Sequence, residues 1–334
     1  NMAYVGGVVC TRTGKNRFSF DFSGMEREIE YALAHGMKYV NGPSVGWRQS
    51  WQASTILLNG DIPAMSYEGY CYLSQYLPAL HDVLERHGWL DIFVMGVADE
   101  PNNFNATEYR ALCGLIRRFV PDIKLIDAMS FGDLHGALDI WVPLISSYTR
   151  HREELESLRG KNDEIWYYVC LYPRGQGYVN RHMDYALMST RMLHWGNYKY
   201  HLTGFLHWAV NYYQEGFAQA DGKEYHQDPF VCSCPEHHNT DSVSFLPAGD
   251  THVFYPGGYH GHGDVQEPWL SMRAENERES VEEYELLREL SLRDPQKADE
   301  ICERVFHNFN DYEYDLDLFE KTRRALMEAL SSSL

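Results

Sequence analysis

Short apolar runs alternate along this chain with longer segments in which apolar residues recur at helical spacing. The clearest run covers residues 92–98 and is stopped at once by Asp99, Glu100 and Pro101. Runs of this kind, too short for typical helices and bounded by breakers, indicate strands that are buried on both faces of a parallel sheet. Similar runs predict further strands at 4–9, 37–40, 124–128, 140–144, 165–171, 203–210 and 252–255.

The segments between these runs carry the start signals of helices. Ser23 and Glu26 have the spacing of a capping box at the start of one helix. Asn105 and Glu108 are expected to cap another helix. From residue 275 onward the chain is expected to be helical and acidic to its end.

About eight strand candidates alternate with helices, which is the pattern of a (β/α)8 TIM barrel. A doubly wound open sheet is the runner-up, but no Gly-rich phosphate loop follows any strand, and this weakens it. We therefore expect an α/β fold with a catalytic barrel over residues 1–293. Residues 294–334 are expected to form a C-terminal helical tail, packed on the barrel or extending from it. The helix predicted over 67–87 contains Pro78 and is expected to be interrupted or kinked there.

Composition and charge favour a neutral ligand over a polyanion. Aromatic residues make up 14% of the chain, with 24 Tyr and 8 Trp, and aromatic clefts suit sugars. The formal net charge is −19 and no Lys/Arg cluster occurs, which argues against nucleic acid as a partner. No apolar stretch approaches the length of a membrane span, and no secretory signal is visible. We expect no membrane association, and a cytoplasmic location unless a signal has been removed, in which case the protein is secreted.

Asp99 and Glu100 are the leading candidates for chemistry. In open α/β sheets and barrels, the carboxyl ends of the parallel strands carry the active site. Two adjacent carboxylates at the end of a buried strand therefore lie where chemistry is expected. Because Pro101 restricts the residue before it, Glu100 is expected to adopt an extended or polyproline conformation. The competing interpretation is that Asp99 caps a turn and that Glu100 is solvated.

The residues that follow the other predicted strands share one rim in a barrel. Most of them are aromatic or carry an amide: Asn41, Tyr172, Arg174, Trp208, Asn211, Tyr212 and Tyr255. Tyr168, inside the strand that leads to Tyr172, is a further candidate. Carboxylates surrounded by aromatic and amide groups are typical of a carbohydrate site, with stacking on the rings and hydrogen bonds to hydroxyl groups. A single aromatic side chain, considered alone, more often packs at the boundary of the core than binds a ligand.

Adjacent carboxylates suit one type of glycoside hydrolysis better than the others. Conventional retaining and inverting glycosidases hold two carboxyl groups about 5–5.5 Å or about 6.5–9.5 Å apart on opposite sides of the bond. Neighbouring residues rarely reach this geometry, but they suit a mechanism in which the 2-acetamido oxygen of the substrate is the nucleophile. One carboxylate then orients the acetamido group while the other protonates the leaving oxygen. Two alternatives stay open: a barrel that binds carbohydrate without turnover, and a conventional retaining glycosidase in which a residue such as Glu215 faces Glu100.

The segment 232–238 resembles a metal site only superficially. It contains Cys232, Cys234, His237 and His238, but the usual zinc spacings, Cys-x2–4-Cys and His-x3–5-His, are absent. The cysteine count of seven is odd, and buried free thiols are its simplest explanation in a chain of this length. We predict no cofactor and no metal.

The strand that leads to Asp99 resembles the catalytic strand of glycoside hydrolase family 123, the β-N-acetylgalactosaminidases. The resemblance begins with Gly88-Trp89-Leu90-Asp91 and Ala98-Asp99-Glu100-Pro101. Further matches in the same chain order are Phe18-Ser19-Phe20-Asp21-Phe22, Trp166-Tyr167-Tyr168-Val169-Cys170, Gly204-Phe205-Leu206-His207-Trp208, Pro247-Ala248-Gly249-Asp250, Tyr255-Pro256-Gly257, Ser271-Met272-Arg273 and Glu282-Glu283-Tyr284. The ordered set is more specific than the Asp-Glu-Pro tripeptide alone.

The resemblance implies a (β/α)8 barrel that hydrolyses terminal β-linked N-acetylhexosamine, preferentially N-acetylgalactosamine, with substrate assistance and retention. It assigns Asp99 as the residue that stabilises the acetamido group and Glu100 as the general acid/base. Two departures leave the substrate range open. Family members carry a β-sandwich before the barrel, which this sequence does not include, and the segment 230–241 has no counterpart.

Overall fold

The computed structural model describes residues 1–129, 133–157, 160–175, 177–212, 246–258 and 267–332. It also describes the backbone of residue 158 and of four two-residue strands between residues 217 and 245. The chain divides into two compact units, Asn1–Tyr167 and Tyr168–Leu334.

The first unit alternates strands and helices. Its strands are β1 (Met2–Tyr4), β2 (Val9–Gly14), β3 (Arg17–Asp21), β4 (Tyr39–Gly42), β5 (Gly46–Trp47), β6 (Leu57–Leu58), β7 (Ile62–Pro63), β8 (Phe93–Gly96), β9 (Lys124–Met129), β10 (Ile140–Pro143) and β11, which begins at Glu164 and ends at Tyr168. Its helices are α1 (Ser23–Ala34), α2 (Tyr67–His87), α3 (Ala106–Phe119) and α4 (Ile145–Leu158). A short 3-10 helix, Leu90–Ile92, precedes β8.

The central sheet of this unit is parallel. Its strands are hydrogen-bonded in the order β1, β4, β8, β9, β10, β11. The order of these strands in the sheet is their order along the chain, and a helix lies between most neighbours. This is the TIM-barrel type of α/β fold that the sequence predicts. All four residues of β8 are buried, as expected of a strand that is covered on both faces.

Strand register brings the carboxyl ends of three strands to one edge. Asn41 of β4 lies opposite Val94 of β8, and Gly96 of β8 lies opposite Ile126 of β9. The next residue of β9, Asp127, is therefore level with the end of β8. The turn that follows β8 begins at this edge.

Helix α2 continues through Pro78, so the predicted interruption is absent, although a proline inside a helix costs about 3 kcal/mol. Leu73, Leu77, Leu80 and Leu84 repeat at helical spacing and are fully buried. Burying one such side chain contributes roughly 1.5–3 kcal/mol, so the apolar face outweighs the proline.

The strand predicted over 4–9 is divided in the structure. Met2–Tyr4 forms β1, whereas Val9 begins β2, which pairs with β3 in an antiparallel hairpin. Gly7 lies between them with a φ of +73°, and a Cβ there would be 2.7 Å from the carbonyl carbon of Gly24. Glycine therefore allows the chain to change direction where the sequence pattern alone suggests one strand.

The second unit begins at the end of β11 and is mainly helical in its described residues. Its helices are α5 (Leu187–Arg191), α6 (Leu193–Tyr200), α7 (Met272–Ser291), α8 (Pro295–Glu303) and α9 (Leu316–Ser331). Its strands are β12 (Gly204–Leu206), β13 (Phe217–Ala218), β14 (Glu224–Tyr225), β15 (Pro235–Glu236), β16 (Ser244–Phe245), β17 (Phe254–Tyr255), β18 (Trp269–Leu270), β19 (Phe306–Asn308) and β20 (Asp311–Tyr312). The strand predicted at 252–255 is the short β17, which pairs antiparallel with β18.

A buried carboxylate ties the C-terminal helices together. Glu283 of α7 is 1% exposed and accepts hydrogen bonds from Arg191 at 2.6 and 2.9 Å, from Trp195 at 2.9 Å and from Arg323 at 3.0 Å. Because Arg323 belongs to α9, this last helix packs on α7. The prediction that the chain is helical from residue 275 to its end is wrong at 306–312, where β19 and β20 form an antiparallel hairpin. The predicted domain limit at residue 293 stays a prediction.

Candidate active site

Asp99 and Glu100 lie on the turn that follows β8. Val97 and Ala98 before them are fully buried, Asp99 is exposed and Glu100 is half-buried. The structure therefore places the pair at the carboxyl end of a buried parallel strand, where barrels and open sheets carry their chemistry.

The backbone at Glu100 differs from the prediction. Its φ is +50°, in the left-handed region, whereas the proline that follows predicts an extended conformation. A residue other than glycine is strained there, and such strain persists only where the surroundings impose it. The surroundings of the turn supply the constraint.

Arg48 holds the turn by hydrogen bonds to its backbone. Its guanidinium donates hydrogen bonds to the backbone carbonyls of Asp99 and Glu100, the latter at 2.9 Å, and to the carbonyl of Trp51 at 2.7 Å. A planar guanidinium presents five fixed donors, so one side chain can span three carbonyls.

Asn102 and Asn105 also hold the turn. The Asn102 N–H donates to Asn105 Oδ1 at 2.9 Å, while Asn102 Nδ2 donates to the Trp51 carbonyl at 2.8 Å. Asn105 Nδ2 donates to the Ala53 carbonyl at 3.2 Å. Both asparagines are 2% exposed, so these bonds are shielded from competing water.

Asp127 is a buried carboxylate beneath the turn. Its Oδ2 accepts hydrogen bonds from Val97 N–H at 3.0 Å, Ala98 N–H at 2.9 Å and Tyr109 Oη at 2.6 Å. Burial raises the pKa of Asp127 to about 7 against the effect of these bonds. A Cβ at Gly96 would lie 3.4 Å from Asp127 Oδ1 and 2.7 Å from Ser44 Oγ, so the close approach needs glycine.

The electrostatic surroundings of Asp99 oppose its ionisation. Although part of the residue faces water, loss of solvation raises its pKa to about 6, and the charge of Glu100 acts in the same direction. The positive charge of Arg48 and the backbone N–H of Glu100 lower the pKa of Asp99 and partly offset this. The carboxyl group is ionised mainly above pH 6.

Asn41 lies in the same sheet, near the end of β4. Its Oδ1 is buried and accepts no hydrogen bond from the residues that the structure describes. A buried acceptor without a partner costs about 1–3 kcal/mol, which is consistent with a group reserved for a ligand.

The second unit contains a separate polar cluster around Asp250, which is fully buried. Asp250 Oδ2 accepts from Trp208 Nε1 at 3.0 Å, and its Oδ1 lies 3.2 Å from His207 Nε2 and 3.6 Å from His182 Nε2. Because His207 Nδ1 accepts from the Ala209 N–H at 3.2 Å, the ring proton is on Nε2, facing Asp250.

Charge is distributed unequally in this cluster. Burial first, and the charge of Arg181 second, lower the pKa of His207 to about 4, so its ring is neutral. Burial alone would raise the pKa of Asp250, but the N–H groups of His182, His207 and Trp208 hold that pKa well below its usual range. Asp250 is therefore a buried, ionised anchor for the indole of Trp208.

The other predicted binding residues of this unit lie around two turns. The rings of Trp208 and Tyr212 are 5.4 Å apart and remain 45% and 44% exposed. Asn211 forms a β-bridge with His252, whose ring is 5.2 Å from that of Tyr255.

Tyr168 and Tyr172 differ in exposure. Tyr168 is 4% exposed, whereas Tyr172 is 54% exposed and lies 5.4 Å from the guanidinium carbon of Arg174. The structure brings four of the predicted binding residues into one neighbourhood: Trp208, Asn211, Tyr212 and Tyr255. Substrate binding by any of them stays a prediction.

Two of the predictions concern residues outside the described part of the chain. Glu215, the candidate second carboxylate of a conventional glycosidase, and the side chains of the metal-like segment 232–238 are not among the described residues. Within the described part, His81, Asp82 and Glu85 of α2 place potential ligand atoms within 4.8 Å of one another. Asp82 and Glu85 are exposed and His81 Nε2 is 3.0 Å from Asp122, which is typical of a solvated helix face.

Sequence patterns missed Arg48, Asp127, Tyr109 and the two histidines of the Asp250 cluster. Asp127 had a usable signal, since a carboxylate inside an apolar strand is rarely present without a function or a partner. Arg48 had none, because its contacts lie about fifty residues further along the chain.

The carboxyl ends of the parallel strands carry the active site in barrel enzymes, and the carboxylate pair lies at such an end. The sequence matches the family described as "Glycoside hydrolase 123, catalytic domain" over residues 4–290. The match covers most of the chain, so the chain belongs to this family. Comparison with curated proteins gave no match.

Among solved structures, a family 123 glycoside hydrolase from Clostridium perfringens, the subject of a study of glycolipid glycan hydrolysis, has a similar fold. The TM-score is 0.64 at 15% identity, and the similarity covers 99% of this chain and 61% of that chain. This chain therefore spans less than two thirds of that protein, and the likeness confirms the TIM-barrel-like α/β fold.

More distant similarities are to two other glycosidases. A family 113 β-1,4-mannanase has a TM-score of 0.34 at 15% identity, covering 60% of this chain and 75% of that chain. A family 5 mannosidase from Rhizomucor miehei has a TM-score of 0.30 at 8% identity, covering 78% of this chain and 88% of that chain. In the described residues, no helix has the length and apolar character needed to cross a bilayer.

Proposed function

We propose that this domain removes terminal β-linked N-acetylhexosamine, preferentially N-acetylgalactosamine, from carbohydrate substrates by substrate-assisted, retaining hydrolysis. The observation that carries the proposal is the pair Asp99 and Glu100, fixed on one turn by Arg48. Family membership supports glycoside hydrolysis, and the preference for galactosamine rests on the resemblance alone. The similar Clostridium perfringens protein was studied for glycolipid glycan hydrolysis, which makes glycolipid glycans candidate substrates.

In the first step, the acetamido oxygen of the substrate attacks the anomeric carbon while the bond from that carbon to the leaving oxygen breaks. Glu100 gives its proton to the leaving oxygen. Asp99, as the carboxylate, accepts a hydrogen bond from the acetamido N–H and stabilises the positive charge of the resulting oxazolinium-like intermediate.

In the second step, water attacks the anomeric carbon and the bond to the acetamido oxygen breaks. The Glu100 carboxylate takes the proton of that water and so returns to its starting state. Two successive inversions at the anomeric carbon give a product with the β configuration of the substrate.

Binding of the sugar is assigned to the amide and aromatic residues that end the predicted strands. These are Asn41, Tyr168, Tyr172, Trp208, Asn211, Tyr212 and Tyr255. Two observations favour this assignment: Asn41 Oδ1 is buried with no hydrogen-bond partner among the described residues, and the ring of Trp208 is exposed and anchored.

The decisive experiment compares aryl β-glycosides of N-acetylgalactosamine, N-acetylglucosamine and galactose. We expect hydrolysis of the first two and none of the third, because galactosides lack the acetamido nucleophile. Proton NMR of the first product formed should show the β anomer. Turnover of the galactoside would instead support a conventional two-carboxylate glycosidase, and sugar binding without turnover a binding module.

Variants of the pair separate their roles. Glu100→Gln should lower the rate on poor leaving groups by about 10²–10⁴-fold and the rate on activated aryl groups far less. Asp99→Asn should damage both kinds of substrate alike. Asp91→Asn, an exposed carboxylate just before the same strand, is the matched control and should leave both rates unchanged. Near-parental rates in both site variants would refute the assignment.

A further inference from the structure

The segment 43–66, here called the tethered loop, is hydrogen-bonded near its start to the end of β8. The Val45 N–H donates to the Gly96 carbonyl at 3.0 Å and the Gly46 N–H to the Val97 carbonyl at 2.8 Å. The loop has an apolar core of its own, formed by Val45, Ile56, Leu58, Ile62 and Ala64. Its backbone is therefore fixed by packing and by hydrogen bonds.

Two large aromatic side chains remain exposed next to this rigid backbone. Trp51, in the tethered loop, is 47% exposed, and Phe104, just after the Asp99–Glu100 turn, is 58% exposed. The buried Asn102 side chain joins them, because its Nδ2 donates to the Trp51 carbonyl at 2.8 Å and its Oδ1 accepts from the Phe104 N–H at 3.0 Å.

The Trp51 and Glu100 carbonyls share donors, and Phe104 is joined to them because its N–H donates to Asn102 Oδ1. The Trp51 and Glu100 carbonyls share the guanidinium of Arg48, at 2.7 and 2.9 Å. Asn102 Nδ2 also lies 3.5 Å from the Glu100 carbonyl. Movement of either ring's backbone would therefore disturb the turn that carries Glu100.

Trp47 of the same loop has a different role. It is 45% exposed, but its Nε1 donates to the Gly60 carbonyl at 3.0 Å within the loop. This bond serves the closure of the loop, so Trp47 is not included in the assignment that follows.

We propose that Trp51 and Phe104 form the binding subsite for the leaving-group sugar, whose ring stacks on their exposed faces. The proposal rests on the proposed function, in which Glu100 protonates the leaving oxygen and so defines the side of the scissile bond on which the leaving group lies. Apolar rings exposed on a rigid backbone bind the C–H face of a pyranose at little entropic cost, since no loop must be ordered.

The test compares two substrates that differ only on the leaving side: the methyl β-glycoside of N-acetylgalactosamine, and a disaccharide in which that sugar is β-linked to a hexose. Both have alkyl leaving groups of similar basicity. Trp51→Ala and Phe104→Ala should each lower kcat/KM for the disaccharide roughly tenfold, through KM, and leave the methyl glycoside within about twofold. Trp51→Phe should restore most of the loss.

The control variant is Tyr31→Ala, because Tyr31 is 67% exposed on α1 and should affect neither substrate. Equal losses on both substrates in the alanine variants, or no loss on either, would overturn the subsite. If the parent hydrolyses neither glycoside, the proposed function fails instead. Calorimetric titration with the disaccharide then tests the subsite separately. Weaker binding to Trp51→Ala than to the parent would support the subsite, and equal binding would overturn it.

Discussion

The indole N–H of Trp208 donates a 3.0 Å hydrogen bond to Oδ2 of the fully buried Asp250. One edge of an exposed aromatic ring is thus attached to a charge inside the protein. The opposite carboxylate oxygen faces His207 Nε2 at 3.2 Å, so the anchor is itself held in place.

Asp250→Asn should destabilise the fold by about 1–3 kcal/mol. An amide has one acceptor oxygen, so its NH2 group would face either the Trp208 or the His207 N–H, leaving buried donors unsatisfied. Thermal or urea unfolding measures the loss. Trp208→Phe keeps the ring and removes one donor, so it should lose less stability; an unchanged unfolding midpoint for Asp250→Asn would contradict the anchoring role.

The pH dependence of kcat/KM should show an acid limb near pH 6. In the proposed mechanism Asp99 must be ionised to accept the acetamido N–H. Its folded pKa is raised to about 6, so activity should rise as pH rises through that value. Asp99→Asn removes the group that titrates. Its residual activity on an activated aryl glycoside should therefore show no acid limb near pH 6. A limb that stays in place would show that another group controls it.

Arg48→Gln should lower kcat by up to about 100-fold, because small displacements of the turn misplace both carboxyl groups. It should also move the acid limb to higher pH, since the positive charge of Arg48 lowers the pKa of Asp99. Arg48→Lys keeps the charge but cannot span three carbonyls, so kcat should fall while the limb stays. Arg110→Gln, which removes an exposed ion-pair partner of Asp133, is the control for both measurements.

Asp127→Asn should flatten the pH dependence of stability between about pH 4 and pH 7. The folded pKa of Asp127 is about 7, above its ordinary value of 3.8, so the folded state binds the proton more tightly. The contribution of Asp127 to the free energy of unfolding is fully present below pH 4 and is lost as pH rises through 7. The free energy of unfolding falls by up to about 1.4 kcal/mol per pH unit over this range. Urea unfolding of parent and variant over this range gives the difference. Asp133→Asn, a largely exposed carboxylate, should leave the slope unchanged.

The sequence predicted the strands of the parallel sheet of the first unit and the position of the carboxylate pair, because buried parallel strands have a strong local pattern. It missed the hairpin of β2 and β3 and the short strands β5, β6 and β7. It predicted helix caps less well. The helix predicted to start with a Ser23 capping box has Phe22 as its cap residue and no side-chain cap.

Asn105 is the cap residue of α3, but its Oδ1 accepts from the Asn102 N–H, and Glu108 Oε1 accepts from the Ile56 N–H at 2.8 Å. Both side chains support the turn and the tethered loop in place of the helix end. Such long-range uses of a polar side chain leave no trace in a local pattern.

Because Glu100 has a left-handed φ, the side chain proposed for catalysis is present at a cost to the stability of the fold. Glycine adopts a φ of +50° freely, whereas an L-residue costs about 1–2 kcal/mol there. Selection for stability alone would therefore favour glycine over the proposed general acid at this position. A variant with glycine at residue 100 is expected to have a higher free energy of unfolding and no hydrolytic activity.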